Sequence, residues 1–375
     1  MSMILDGTNG VTYNDSSLQA AAASPYVLKN RIINGAMVID QRNAGASVTP
    51  STTADAFPVD RWTGQVSQNS KLTMQQNAGS VTPPTSFTNY AGVTSSSAYS
   101  IAAGDYFLFS QQIEGLNVSD LAWGTANAKT LTLSFQVYSS LTGTFGGVIS
   151  NSAQNRSYPF SYSIPVANTW TTISITIAGD TSGTWLTTNG VGIRVRWGLG
   201  VGSTYSGTAG AWSGSNLFSA TGATSVVGTS GATFYITGVQ LEVGSTATPF
   251  ERRLYNQELA NCQRYYFKTT PMTGNQPAYG VVGSLSTTRS ISMNPVPMPV
   301  TMRTTPTVGY YSLAITNAST STISSTISSV SAYNTTTSSN YVTLDIAYTA
   351  GGSATNVYCL SASAAGSYLD FSAEL

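Results

Sequence analysis

Lys129-Thr130-Leu131-Thr132-Leu133-Ser134-Phe135-Gln136-Val137-Tyr138 alternates polar and apolar residues from Thr130 onward. In an extended chain successive side chains point to opposite faces, so Leu131, Leu133, Phe135 and Val137 share one face and Thr130, Thr132, Ser134 and Gln136 the other. That pattern marks an antiparallel strand with one face buried. Thr171 to Ile177 repeats the period, with Ile173, Ile175 and Ile177 inward. Val191 to Trp197 does so again, placing Val191, Ile193, Val195 and Trp197 on one face. Its Arg194 and Arg196 fall on the other, where both guanidinium groups are expected to reach solvent or a carboxylate. From Phe234 to Val243 the phase changes: Phe234 and Ile236 share a face, then Val239, Leu241 and Val243 do, and Gly238 between them marks a β-bulge.

Pro249 to Phe267 breaks the two-residue period. Tyr255, Leu259, Cys262 and Tyr266 fall at helical spacing there, behind Pro249 and Glu251, so a single linking helix is expected within 251–267. It separates a first all-β block, residues 31–250, from a smaller second β-sandwich, residues 268–375, that opens with Pro295, Pro297, Pro299 and Pro306 and includes strands such as Tyr341 to Tyr348. Residues 1–30 carry the turn signals Asp6-Gly7 and Asn9-Gly10 and an alanine run, with too few apolar groups to fold alone. They are expected to pack on a partner, as an attachment or oligomerisation segment.

Fifteen basic and fifteen acidic residues cancel and only 8% of the chain is charged, which leaves nothing to neutralise a row of phosphates or hold an anionic membrane. Nucleic acid is not expected as a partner. The absence of histidine removes the commonest general base and the Ser-His-Asp arrangement. Hydrolysis of a glycan would then need two carboxylates about 5 to 9.5 Å apart. Asp105, Glu114, Asp180, Glu242 and Asp345 are available, yet no two form a local motif, and no enzyme activity is expected. Glu114 and Glu242 lie in apolar strands and are expected to meet Arg61, Arg194 or Arg196 as structural pairs. Asp40, Asp55 and Asp60 offer hard oxygen donors without EF-hand spacing, so no metal and no cofactor is assigned. Cys262 and Cys359 fit no disulfide scaffold or CxxC site and read as buried thiols. The first residues lack a basic and an apolar signal region, and no run of 18 apolar residues occurs, so synthesis in a cytoplasm without membrane insertion is expected.

Two resemblances rest on particular residues. Gly104-Asp105-Tyr106-Phe107 with Gln111-Gln112-Ile113-Glu114-Gly115-Leu116, then Thr130 to Val137, then Asn168-Thr169-Trp170-Thr171, then Phe234 to Glu242, resembles the strand succession of carbohydrate-binding-module jelly rolls. This implies a jelly-roll β-sandwich over roughly residues 31 to 250 and carries over no binding residue. Asn34 to Gly45, then Asp60-Arg61-Trp62, then Gln240 to Gly244 running into Thr248 to Arg253 and Cys262-Gln263-Arg264-Tyr265-Tyr266, is similar to a block recurring in phage tail-fibre and related virion proteins. That resemblance implies a virion location after synthesis in a host bacterial cytoplasm, assembly as a homotrimer, other virion proteins as partners through the N-terminal segment, and contact with host cell-surface polysaccharide. The low charge suits a C3 interface.

Glycan recognition asks for aromatic platforms surrounded by amides and hydroxyls, and 21 Tyr and 6 Trp stand here among abundant Ser, Thr and Asn. Trp185, Tyr205 and Trp212 lie in Gly/Ser/Thr-rich stretches that read as loops and are the first glycan-binding candidates. Tyr310, Tyr311 and Tyr333, with Tyr341 nearby, make a second candidate surface. The same rings also fit packing against their own loop or a neighbouring subunit. Three functions remain open: a receptor-binding tail fibre or adhesin, a structural virion part such as a head fibre, decoration or baseplate protein, and a polysaccharide-degrading tailspike.

Overall fold

The computed structural model describes residues 29–269 and, beyond them, 4–6, 10–12, 18–19, 277–284, 288–292, 295–317, 323–332, 340–349 and 357–375. The first block contains strands β1 (Ala56–Val59), β2 (Trp62–Val66), β3 (Leu72–Gln76), β4 (Ala91–Ser95), β5 (Tyr106–Glu114), β6 (Leu131–Ser139), β7 (Gly143–Ser150), β8 (Ser157–Ile164), β9 (Thr171–Ile177), β10 (Val191–Val201) and β11 (Thr233–Val243). They form a six-stranded sheet in the order β8-β7-β10-β5-β2-β1 and a five-stranded sheet in the order β9-β6-β11-β4-β3, all neighbours antiparallel. The apolar faces pack into one jelly-roll β-sandwich core. Leu131, Leu133, Phe135 and Val137 are all buried, as the alternation requires. Ile173 and Ile177 join them, and Ile175 packs half-buried against the same core. Trp62 stacks on Phe109 with ring centroids 5.0 Å apart, and Phe135 meets Trp197 edge-on at 5.4 Å, so large rings from both sheets fill the centre.

β11 pairs with β6 in two phases, with the register shifting between Thr237 and Gln240. Gly238 lies in that shift with φ of 62°, and Phe234, Ile236, Val239 and Leu241 are all buried on either side of it. The bulge lets one strand bury both halves of its apolar set.

Arg194 and Arg196 depart from expectation. Arg194 donates to the carbonyls of Asn151 and Ser152, and neither arginine forms an ion pair among the described residues. Arg196 is only 5% exposed, lies 4.8 Å from the centroid of the Phe218 ring, and has its pKa lowered to about 9 by burial. The segment carrying Phe218 covers the outer face of the six-stranded sheet, which two-residue alternation reads as open. Cys359 also differs: it is half-buried, whereas Cys262 is fully buried, and both thiols are free.

Helix α1 runs from Tyr255 to Gln263, inside the expected stretch. It turns Glu258 and Cys262 inward and leaves Tyr255 61% exposed. Tyr266 opens strand β12 (Tyr266–Lys268) instead of extending the helix. A helix this short is held by tertiary contacts more than by its own propensity. Its Glu258 accepts from the Asn34 backbone N–H and, at 3.3 Å, from Arg253.

The C-terminal block is all-β but is not two stacked sheets. β13 (Pro277–Ser284), β14 (Arg289–Ser292), β16 (Leu313–Asn317), β17 (Ile323–Ala332), β18 (Leu344–Tyr348) and β19 (Val357–Ala362) close into a barrel in the order β13-β14-β18-β17-β16-β19. β12 joins β20 (Tyr368–Ser372) and β15 (Thr307–Tyr311) in a separate three-stranded sheet, so the residues directly after the helix pair with the last strand. The N-terminal strands Ile4–Asp6, Gly10–Thr12 and Leu18–Gln19 form a small sheet of their own.

Sandwich, helix and C-terminal block meet in a buried polar junction. Glu114, at the end of β5 and 1% exposed, accepts two bonds from Arg264 at 2.8 and 2.6 Å and one from the Tyr265 hydroxyl at 2.6 Å. Burial works to raise the Glu114 pKa, but the bonds from Arg264 and Tyr265 prevail and hold it below its ordinary value. Arg61 packs its guanidinium 3.6 Å over the Tyr265 ring, pairs with Glu374 and donates to the Gln112 carbonyl at 2.6 Å. Arg42 pairs with Glu374 at 3.0 Å and covers the Tyr266 ring at 3.5 Å. Burial pushes the Asp60 carboxyl beside it up to about 6. The carboxylates expected to meet Arg61, Arg194 or Arg196 therefore have other partners: Glu114 has Arg264, and Glu242 has the Thr248 N–H and hydroxyl at 2.8 and 2.7 Å, with Lys29 at 3.9 Å.

Glu114→Gln removes the charge that compensates a bidentate arginine and is expected to cost on the order of 3 kcal/mol in urea unfolding at neutral pH. A carboxylate with a depressed folded pKa contributes stability above its unfolded pKa and loses it as pH falls through the folded value. The gap between wild type and variant is therefore expected to narrow below about pH 4. An equal gap at pH 7 and pH 3 would contradict this assignment.

Candidate functional site

The outward face of the five-stranded sheet carries a groove of about 400 Å³, within the ~300–1,000 Å³ range of ligand sites. Its floor comes from the polar phase of two paired strands: Ser134 and Gln136 on β6 face Ser174 and Thr172 on β9. The Thr172 hydroxyl donates to Gln136 Oε1 at 3.1 Å, leaving the Gln136 amide N–H groups without a protein acceptor among the described residues. One wall is aromatic. Phe87 and Phe250 meet edge-on with centroids 5.2 Å apart, and the Arg252 guanidinium lies 4.8 Å above Phe87. The β11 bulge fits this wall, since a Cβ at Gly238 would come 2.6 Å from the tip of the Phe87 ring.

The same face continues past Gln136 as a run of rings. Tyr138 stacks on Tyr235 at 5.4 Å and lies 5.5 Å from Trp170, while Tyr235 stacks on buried Tyr90 at 5.0 Å. Trp170 donates its indole N–H to the Thr82 carbonyl at 2.9 Å, which fixes the ring at the sheet edge. Outward positions two apart on a strand lie ~7 Å from one another, so Ser134, Gln136 and Tyr138 form a line suited to an extended polymer.

Trp185 and Trp212 are brought together, 5.5 Å apart and edge-to-face, with Trp123 completing a triad at 4.6 and 5.3 Å. Their indole N–H groups donate to the Ser182, Ala178 and Lys129 carbonyls. The cavity beside Trp123 and Trp185 holds about 30 Å³, room for a water and not for a sugar. These tryptophans spend their faces on one another at one end of the sandwich. Tyr205 lies elsewhere, stacked on Phe218 at 4.6 Å. In the C-terminal block Tyr310 packs half-buried against the core, whereas Tyr311 is 54% exposed and stacks on Tyr368 at 5.7 Å. Tyr333 lies outside the described residues. The candidates thus fall in three separate places, none of them the groove.

Among the described residues, no carboxylate lines the groove. Asp105 accepts from Ser67, Tyr99 and the Ala102 N–H, and Asp180 holds Arg156 through two bonds at 2.7 and 2.6 Å. No group of three metal-ligating side chains occurs among the described residues.

No protein-family model matches the sequence, and no curated protein matches it. Among solved structures, the chain is similar to the enzymatically active domain of bacteriophage CBA120 tailspike protein 4, at 14% identity and TM-score 0.33 over 59% of this chain. That match spans 22% of the tailspike chain. A family 4 carbohydrate-binding module is similar at 15% identity and TM-score 0.29, over 56% of this chain and 98% of the module. The family 11 module from Clostridium thermocellum, in complex with a mixed-linked tetrasaccharide, is similar at 12% identity and TM-score 0.27, over 55% of this chain and all of the module. Likeness at this level decides nothing about function, which has to come from the site.

Gly238→Ala places a side chain at positive φ and against Phe87, so it is expected to cost about 1–2 kcal/mol in denaturant unfolding. Unchanged stability would mean that Phe87 does not pack on the bulge.

Proposed function

We propose that this chain is a non-catalytic, glycan-binding virion protein of the tail-fibre or adhesin type, which attaches a phage to polysaccharide on its host. The observation that carries the binding half of this reading is the groove on the five-stranded sheet. A hydroxyl and amide floor matches the donors and acceptors of a sugar, and an aromatic wall supplies the apolar surface on which sugar C–H groups rest. Its length along the strands suits a chain more than a single ring. The virion half rests on the resemblance of the 34–45, 60–62, 240–253 and 262–266 residues to tail-fibre proteins, which also implies the homotrimer.

The lining supports the reading of binding without turnover. Retaining and inverting hydrolysis both need paired carboxylates across the scissile bond, and the groove offers hydroxyls, amides, rings and one guanidinium.

The test is binding of the purified chain to whole host cells and to their extracted polysaccharide, with reducing ends assayed in the same tubes. Saturable binding without release is expected, and Phe87→Ala, which strips the wall, is expected to weaken it at least about tenfold, the equivalent of one lost stacking contact. Release of reducing ends would move the protein to the tailspike class. Neither binding nor release would make it a structural virion component.

A further inference from the structure

Among the described residues, Arg252 is the one charged residue lining the groove. Its surroundings fix it in place without neutralising it. The guanidinium lies 4.8 Å above Phe87 and 5.7 Å from the Phe250 centroid, and one of its nitrogens donates to the Ser86 carbonyl. It forms no ion pair among the described residues. The neighbouring carboxylates are taken up elsewhere. Glu251 accepts from the Lys29 and Asn30 backbone N–H groups and from Arg253, and faces away from the groove. Glu242 is buried behind Thr248 and bonded to it.

A guanidinium held over an aromatic ring can still donate from its own plane, and with one Nη2 hydrogen on the Ser86 carbonyl the remaining Arg252 N–H groups have no acceptor among the described residues. The in-plane edge is the part of arginine that grips a carboxylate or phosphate through two parallel bonds. Stacking also lowers the entropy lost when such a bond forms, because the fork is already oriented. In a chain with so few charges, a cation left without a counter-ion among the described residues at the wall of this groove selects by charge.

We propose that the groove takes an acidic saccharide, one whose sugar carries a carboxylate or phosphate that pairs with Arg252 while the ring rests on Phe87 and Phe250. This rests on the groove being the glycan site. Neutral sugars would meet the same rings and the Gln136 and Thr172 floor without that charge pair and bind more weakly.

A microarray of neutral, uronate-bearing, sialate-bearing and phosphorylated saccharides, probed with wild type, Arg252→Gln and Phe87→Ala, separates the outcomes. Wild type is expected to bind acidic spots. Arg252→Gln, at an exposed position whose loss leaves the core intact, is expected to lose those spots by at least about tenfold. Wild-type binding is also expected to fall as salt is raised. Phe87→Ala should weaken acidic and neutral spots alike by at least about tenfold, and the uronate, sialate and phosphate spots tell which anion is read. Binding confined to neutral spots, or acidic binding that Arg252→Gln leaves unchanged, overturns the proposal while the glycan reading stands. No bound spot of any kind sinks both.

Discussion

Glu114 is a carboxylate at the end of a core strand with almost no access to water, and the arrangement of the whole chain follows from how its charge is met. Arg264 and Tyr265, directly after the helix, reach it with three hydrogen bonds. An uncompensated buried charge costs several kcal/mol, so once β5 closes the sandwich the residues after α1 have one place to go. The following residues are then aligned to start β12, which pairs with β20 near the end of the chain. Glu374 completes the circuit by pairing with Arg42 and Arg61 back on the sandwich. Each charge at the junction is useless to the fold without the others.

This junction also explains what the tail-fibre-like block is. Its pieces lie far apart in sequence and converge in space. The Asn34 side chain bonds the Ile39 N–H and carbonyl and the Asp60 carbonyl, while its own carbonyl accepts from Trp62. Gln240 accepts from the Glu251 N–H, and Arg253 donates to the Ile32 carbonyl and to Glu258. The block is a structural signature that fastens residues 32–34, the start of β2 and the approach to the helix together. It carries the frame, and through Thr248, Pro249, Phe250 and Arg252 it also lines the groove. The rest of the wall comes from Ser86 and Phe87, which stand outside the block.

Sequence reading succeeded where one local rule acts alone. Alternation located β6, β9 and β10 and their inward faces, and the phase change located the Gly238 bulge. It failed where tertiary contact overrides local pattern. Arg196 has the polar phase of its strand, yet Phe218, from a loop with no periodic signal, covers it. Barrel closure in the C-terminal block depends on which edge strands meet, which strand periodicity does not encode. The groove was half legible: Ser134, Gln136 and Trp170 stand in stretches already singled out, on the face left for solvent. Phe250 and Arg252 stand in the Thr248 to Arg253 piece but Phe87 does not, and no local pattern shows that these two segments, distant in sequence, meet beside the bulge. Choosing aromatics by loop composition picked Trp185 and Trp212, which do meet, but to pack on each other.

The central claim is that the outer face of the five-stranded sheet, and not one of the aromatic clusters, is where ligand sits. Hydrogen–deuterium exchange of the chain with and without oligosaccharides cut from the host polysaccharide tests it most directly. The account predicts slowed exchange confined to residues 86–87, 134–136, 172–174, 238, 247–250 and 252, which line the groove. Protection around Trp185 and Trp212, or around Tyr310 and Tyr311, with the groove unchanged would contradict it.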